Sequence, residues 1–210
     1  MNTTLRTLVT ALALSLPLYV SADSASINYR HQFTEEDSAH ADRIKLNYRL
    51  DSGLGFEAEM KYRTAGDRED VAYDNLVNNG HEFTVSYNYK INDAFYAATR
   101  YRLDTKKLDR DQVDEDLPDH IKDDQTTHRF EGWLGYTPAS KWAYEYQFIY
   151  FKTDYIRYDN KKNDYEQNLI VKYKLTKEWA PFMEIGDVKV NATSEDRQAR
   201  WRLGVQYNFM

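Results

Sequence analysis

The last stretch of the chain alternates without a break. Trp201, Leu203, Val205, Tyr207 and Phe209 fall on one side, and Arg200, Arg202, Gly204, Gln206 and Asn208 on the other. Period-two alternation specifies an extended strand with one apolar and one polar face, because successive side chains point in opposite directions. The pattern recurs upstream over residues 26–33, 43–50, 54–63, 83–90, 95–103, 127–136, 142–151, 165–175 and 181–190. The segment 181–190 is the least regular, and its phase stays open. About ten strands of roughly 9–11 residues follow, the length a tilted strand needs to cross a bilayer.

The connections alternate too. Asp51-Ser52-Gly53, Ile91-Asn92-Asp93, Pro138-Ala139-Ser140 and Thr176-Lys177-Glu178 read as tight turns. Between them lie longer polar stretches at 34–42, 64–80, 104–125, 154–164 and 191–198. Short turns on one side and long loops on the other are the layout of an outer-membrane barrel, the short side facing the periplasm. The expected fold is therefore all-β: a transmembrane antiparallel up-and-down barrel of about ten strands, with twelve as the alternative. Closure would remove the unpaired edges that an open sheet exposes.

The start of the chain agrees. Arg6 precedes an apolar run over 8–20, and Val20-Ser21-Ala22 is a small-residue cleavage site. Residues 1–22 are expected to be a secretory signal peptide and 23–210 the barrel. The apolar run is too short for a spanning helix, which needs roughly 20 residues. With no cysteine, the exported domain is not held by disulfides. The chain's 18 tyrosines, all but Tyr19 beyond the expected signal peptide, and four tryptophans suit lipid-facing strands and interfacial girdles. A net charge of −6 argues against a nucleic-acid partner. The expected location is the outer membrane of a Gram-negative bacterium, among lipid and lipopolysaccharide and reached through the barrel-assembly machinery.

In such a barrel the polar face points inward. Strand phase places Arg30, Arg43, Lys45, Lys61, Arg63, Arg100, Arg102, Arg129, Arg200 and Arg202 in the lumen, with Arg49, Lys90, Lys172 and Lys174 as further cations. The inward carboxylates are Glu57, Glu59, Glu82, Glu131, Glu145, Glu166 and Glu184. About fourteen cations thus face about seven carboxylates, for a lumen near +7 inside an acidic protein. Strand direction groups most of the arginines toward the cell exterior, with Glu57 and Glu59 lower down. Two readings stay open. Rings of Arg and Lys select anions in pores, and the guanidinium fork fits carboxylates. Alternatively the cations pair with the glutamates and pack the interior, giving a structural or adhesive barrel that does not conduct.

Several segments resemble the oligogalacturonate-specific porins: His128-Arg129-Phe130-Glu131-Gly132-Trp133-Leu134-Gly135-Tyr136, Tyr158-Asp159-Asn160-Lys161-Lys162-Asn163-Asp164-Tyr165-Glu166 and Trp179-Ala180-Pro181-Phe182. Ala97-Ala98-Thr99-Arg100-Tyr101-Arg102 and the terminal Arg200-Trp201-Arg202-Leu203-Gly204-Val205 fit the same family. The resemblance spans most of residues 78–209. It implies a monomeric twelve-stranded outer-membrane channel for acidic oligosaccharides, lined by arginines at Arg100, Arg102, Arg129, Arg200 and Arg202. The chain departs from that pattern after His81-Glu82, where the family carries an additional hairpin. Here Tyr89-Lys90-Ile91-Asn92-Asp93 leads straight into the next matching segment, so two strands are missing and the pore is narrower.

No catalytic chemistry competes strongly with this reading. Asp124 with His128 could be read as a rim hydrolase, but no second constellation supports it, and an enzyme is not expected. The histidines His31, His40, His81, His120 and His128 lack metal-ligand spacing. The acidic run from Asp109 to Asp116 lacks the glycine of a calcium loop. No metal or cofactor is expected.

Overall fold

The computed structural model describes residues 24–34, 40–64, 76–107, 124–155, 161–189 and 196–209. They form ten strands: β1 Ser24–Thr34, β2 His40–Arg49, β3 Leu54–Thr64, β4 Leu76–Lys90, β5 Phe95–Lys107, β6 Asp124–Tyr136, β7 Trp142–Thr153, β8 Asn163–Tyr173, β9 Trp179–Lys189 and β10 Arg197–Asn208. Each pairs antiparallel with its sequence neighbours, and β10 returns to pair with β1, closing the barrel. The count is ten, not the twelve of the alternative. The proposed export segment, residues 1–22, and the acidic run 109–116 lie outside the described residues.

Alternation sets the two faces. On β7, Ala143, Glu145, Gln147, Ile149, Phe151 and Thr153 are buried in the interior, while Tyr144, Tyr146, Phe148 and Tyr150 lie outside. The phase of β9 is now fixed as well: Phe182, Glu184, Gly186 and Val188 point inward. Exposed aliphatic side chains such as Leu46, Leu134, Leu169 and Leu203 cover the outside. An aromatic girdle runs around the turn side, with Phe95 on Tyr136 at 4.6 Å, Trp142 on Tyr173 at 4.8 Å and Trp179 on Tyr207 at 4.7 Å. Tyrosine and tryptophan settle where a bilayer meets water, since one end of the ring is apolar and the other polar.

Local chemistry fixes the ends of the strands. Gly53 takes φ +88° in the β2–β3 turn, a conformation that costs a side chain about 1–2 kcal/mol. Its amide donates to Leu50 O at 2.9 Å and its carbonyl accepts from Asn88 N at 2.9 Å. Most strands run a few residues beyond the sequence-based spans, because polar residues at the loop edges continue the ladder. The largest extension is at β4, which begins at Leu76 and passes a bulge opposite Lys61 and Tyr62. Between β8 and β9 the ladder stops at Gln167 and Asp187. Above that point Arg197 of β10 holds the wall together, its Nη2 donating to the carbonyls of Asp187 at 2.8 Å and Tyr165 at 3.2 Å.

Candidate functional site

Inward phase on ten closed strands forces charged side chains of both signs into one narrow space, and they find each other. Glu57 takes Lys45 at 3.0 Å and Arg100 at 3.3 Å. Glu59 takes Arg30 at 2.5 Å and Arg43 at 3.1 Å. Arg102 joins Glu82 to Glu131, both at 2.9 Å. Nearer the cell exterior, Asp104 holds Lys61 at 2.6 Å and Arg129 at 3.1 Å. Glu184 gathers Arg202 at 2.5 Å, Arg200 at 3.5 Å and Arg30 at 3.8 Å. Glu166 takes Arg200 at 3.2 Å and lies 3.8 Å from Arg129.

Neutral side chains complete the circuit. Arg200 donates to Asn168 Oδ1 at 3.0 Å, Asn168 Nδ2 to Gln147 Oε1 at 2.7 Å, and Gln147 Nε2 to Glu131 at 2.7 Å. Arg202 Nε reaches Gln32 Oε1 at 2.9 Å across the β1–β10 junction. Every strand contributes to this polar ring. It is closely packed: Glu59 and Glu184 are each 3% exposed, and Arg102 is 4% exposed.

Seven of the ten main sequence-predicted cations therefore meet in one network of ion pairs: Arg30, Arg43, Lys61, Arg102, Arg129, Arg200 and Arg202. Lys45 and Arg100 share Glu57 and join it through Trp133, whose Nε1 donates to Glu131 at 2.9 Å while Arg100 lies over its ring. Arg63 lies on β3, and its side chain is outside the described residues. Three expectations about the lumen are corrected. Lys90 sits at a strand end and turns outward to Asp93 at 2.7 Å, whose carboxyl this hydrogen bond holds below its usual range. Lys174 is exposed beyond the end of β8. Asp104, placed in a loop by the sequence reading, is a buried strand residue inside the ring. The cation excess is correspondingly smaller than the expected +7. Carboxylates are also interleaved with cations at each height, and Glu57 and Glu59 do not form a separate lower layer.

Below the ring the lumen opens into a vestibule of about 140 Å³ toward the periplasm. Here the aromatic side chains point inward. The Arg100 guanidinium lies 4.0 Å from the Trp133 ring, and the Tyr96 hydroxyl donates to Glu145, which also takes Lys172 at 2.7 Å. Tyr96 packs over Gly135 and Phe182 over Gly204, each in space that a Cβ would occupy. The sequence reading overlooked these aromatics. Their signal was available, since Trp133 shares the phase of Arg129 and Glu131, and Phe182 that of Glu184.

A closed antiparallel barrel with an apolar, aromatic-girdled exterior and a charged interior defines an outer-membrane β-barrel, and comparison with known proteins narrows it to the porins. The chain matches the family model described as oligogalacturonate-specific porin protein (KdgM) over residues 18–97 and 89–209, and it belongs to that family. The family is one of channels of the Gram-negative outer membrane, not of enzymes. A Salmonella typhimurium protein named Uncharacterized protein YiiY is 30% identical over 234 positions, covering 95% of this chain and 97% of that one. The Oligogalacturonate-specific porin KdgM of Dickeya dadantii is 29% identical over 229 positions, with 94% and 97% covered. Among solved structures, a NanC porin superposes with a TM-score of 0.56 at 16% identity, covering 86% of this chain and 98% of that one. A KdgM porin gives 0.50 at 23%, covering 88% and 99%. These two show a shared fold. Both sequence alignments are longer than this chain of 210 residues, so the relatives carry segments that it lacks.

Proposed function

We propose that this protein is a monomeric outer-membrane channel for anionic oligosaccharides, oligogalacturonate or another oligouronate, which pass along the arginines of the lumen. The observation that carries this reading is the chemistry of the ring. At successive heights a guanidinium or ammonium already holds a carboxylate, the group that a uronate chain presents on each sugar. An incoming chain exchanges its carboxylates for those of Asp104, Glu82 and Glu184 in turn. Exchange keeps each buried cation compensated, and because Asp104, Glu82 and Glu184 each face at least two cations, a carboxylate that gives up one keeps another. Breaking a buried pair outright costs about 3–5 kcal/mol. Several weak positions in series permit both entry and release. The relative named an oligogalacturonate-specific porin supports the choice of solute. Ten strands make a narrower barrel than the twelve implied by the resemblance, because diameter grows with strand number. A single extended chain fits that bore better than a bulky oligomer.

The packing of the ring favours a second reading, a barrel that does not conduct. The two separate in cells and in bilayers. In a strain lacking general porins, deleting the gene should abolish uptake of oligogalacturonate and leave its neutral methyl-esterified counterpart unaffected. Reversal potentials of the pure protein across a salt gradient should show anion preference. Replacing Arg129 and Arg200 with glutamine should reduce it, most visibly at low salt, where screening is weakest. Absence of conductance together with unchanged uptake would establish the second reading.

A further inference from the structure

The vestibule below the ring holds polar atoms that the fold leaves unused. Asn28 Oδ1, Ser86 Oγ, Asn88 Oδ1, Arg49 Nε and Glu145 Oε2 are buried without a protein hydrogen-bond partner among the described residues, and all five residues line the cavity. Ser86 is 2% exposed and Asn28 8%. Buried polar groups are ordinarily satisfied, and each exception calls for an explanation. Arg49 stands out further, because no carboxylate pairs with it among the described residues, unlike the ring cations above. The cavity of about 140 Å³ is close to the ~150 Å³ of an engineered cavity that takes one six-membered ring, a size that suits a single sugar residue.

Resting on the channel reading above, we infer that this vestibule is a binding site for a single acidic pyranose residue, the last position before release into the periplasm. Arg49 takes the sugar carboxylate by a charge-assisted hydrogen bond. Asn28 and Asn88 accept from ring hydroxyls, and Ser86 both donates and accepts, matching the mixed character of a sugar edge. Tyr96 and Trp133 supply the apolar wall against which the C–H face of a pyranose packs. The ring then exchanges carboxylates with a chain in transit, while the vestibule recognises its leading residue.

Titration calorimetry of the full barrel in detergent tests this with galacturonate as the probe and galactose as its neutral control. The wild type should bind galacturonate and not galactose. Arg49→Gln should weaken binding by about tenfold or more, the loss expected for one charge-assisted hydrogen bond. Arg49→Lys should restore part of it, and Ser86→Ala should weaken it less than Arg49→Gln. Retained heat-modifiability on gels verifies that each variant folds. Binding by the wild type that survives Arg49→Gln, or no binding of galacturonate at all, overturns the vestibule site. The channel reading stands or falls separately, on oligogalacturonate uptake in cells.

Discussion

Replacing Glu184 with glutamine should destabilise the barrel by about 3 kcal/mol, the lower end of the range for breaking a buried ion pair. The carboxylate faces three guanidinium groups, those of Arg30, Arg200 and Arg202. Glutamine keeps the shape and one acceptor oxygen but removes the charge. Arg30 retains Glu59 and Arg200 retains Glu166, so the stranded cation is Arg202, left with the neutral Gln32. The urea midpoint of the protein in lipid vesicles should fall accordingly. Arg202→Met added to Glu184→Gln removes both charges and should recover most of the loss, a coupling that a double-mutant cycle measures directly. A single-variant change below about 0.5 kcal/mol, the range of ordinary surface substitutions, would mean that water solvates the ring and that the lumen stands open.

Arginine in place of Phe148 should cost about 2–4 kcal/mol, whereas arginine in place of Tyr144 should cost about 0–1 kcal/mol. Both residues lie on the outer face of β7, yet at different depths: Phe148 near the middle of the strand, Tyr144 close to the β6–β7 turn and stacked with Tyr136 at 6.3 Å. At mid-depth a guanidinium has no water within reach, while near the girdle it extends into the headgroups. The same vesicle unfolding measurement gives both numbers. Equal costs at the two positions would contradict the placement of β7 across the bilayer.

The alternation of residues 142–151 already assigns Gln147 and Phe148 to opposite faces, and the structure keeps that assignment. Strand number and loop side follow equally directly, since both depend on local pattern. The partners of the arginines do not. Whether Arg102 meets Glu82 and Glu131 depends on the stagger between β4, β5 and β6 and on the curvature of the closed wall, which no local pattern carries. Asp104 was hidden for a simpler reason. It is the first of many acidic residues in a polar stretch, and only the register opposite Thr127 shows that β5 continues through it. The vestibule aromatics were readable by phase but were grouped with the lipid-facing ones, because aromatic residues in such strands mostly face outward.

The junction of β1 with β10 has a consequence for biogenesis. Arg202 and Gln32 lie 170 positions apart in the chain, and β10 supplies the arginines that offset Glu166 and Glu184. Until the final strand docks, Glu184 on β9 lacks its nearest guanidinium partners and Glu166 on β8 keeps only Arg129 at 3.8 Å, so an unfinished barrel resists burying its own interior. Pairing of these carboxylates thus serves as a completeness check on assembly, met when the last strand meets the first.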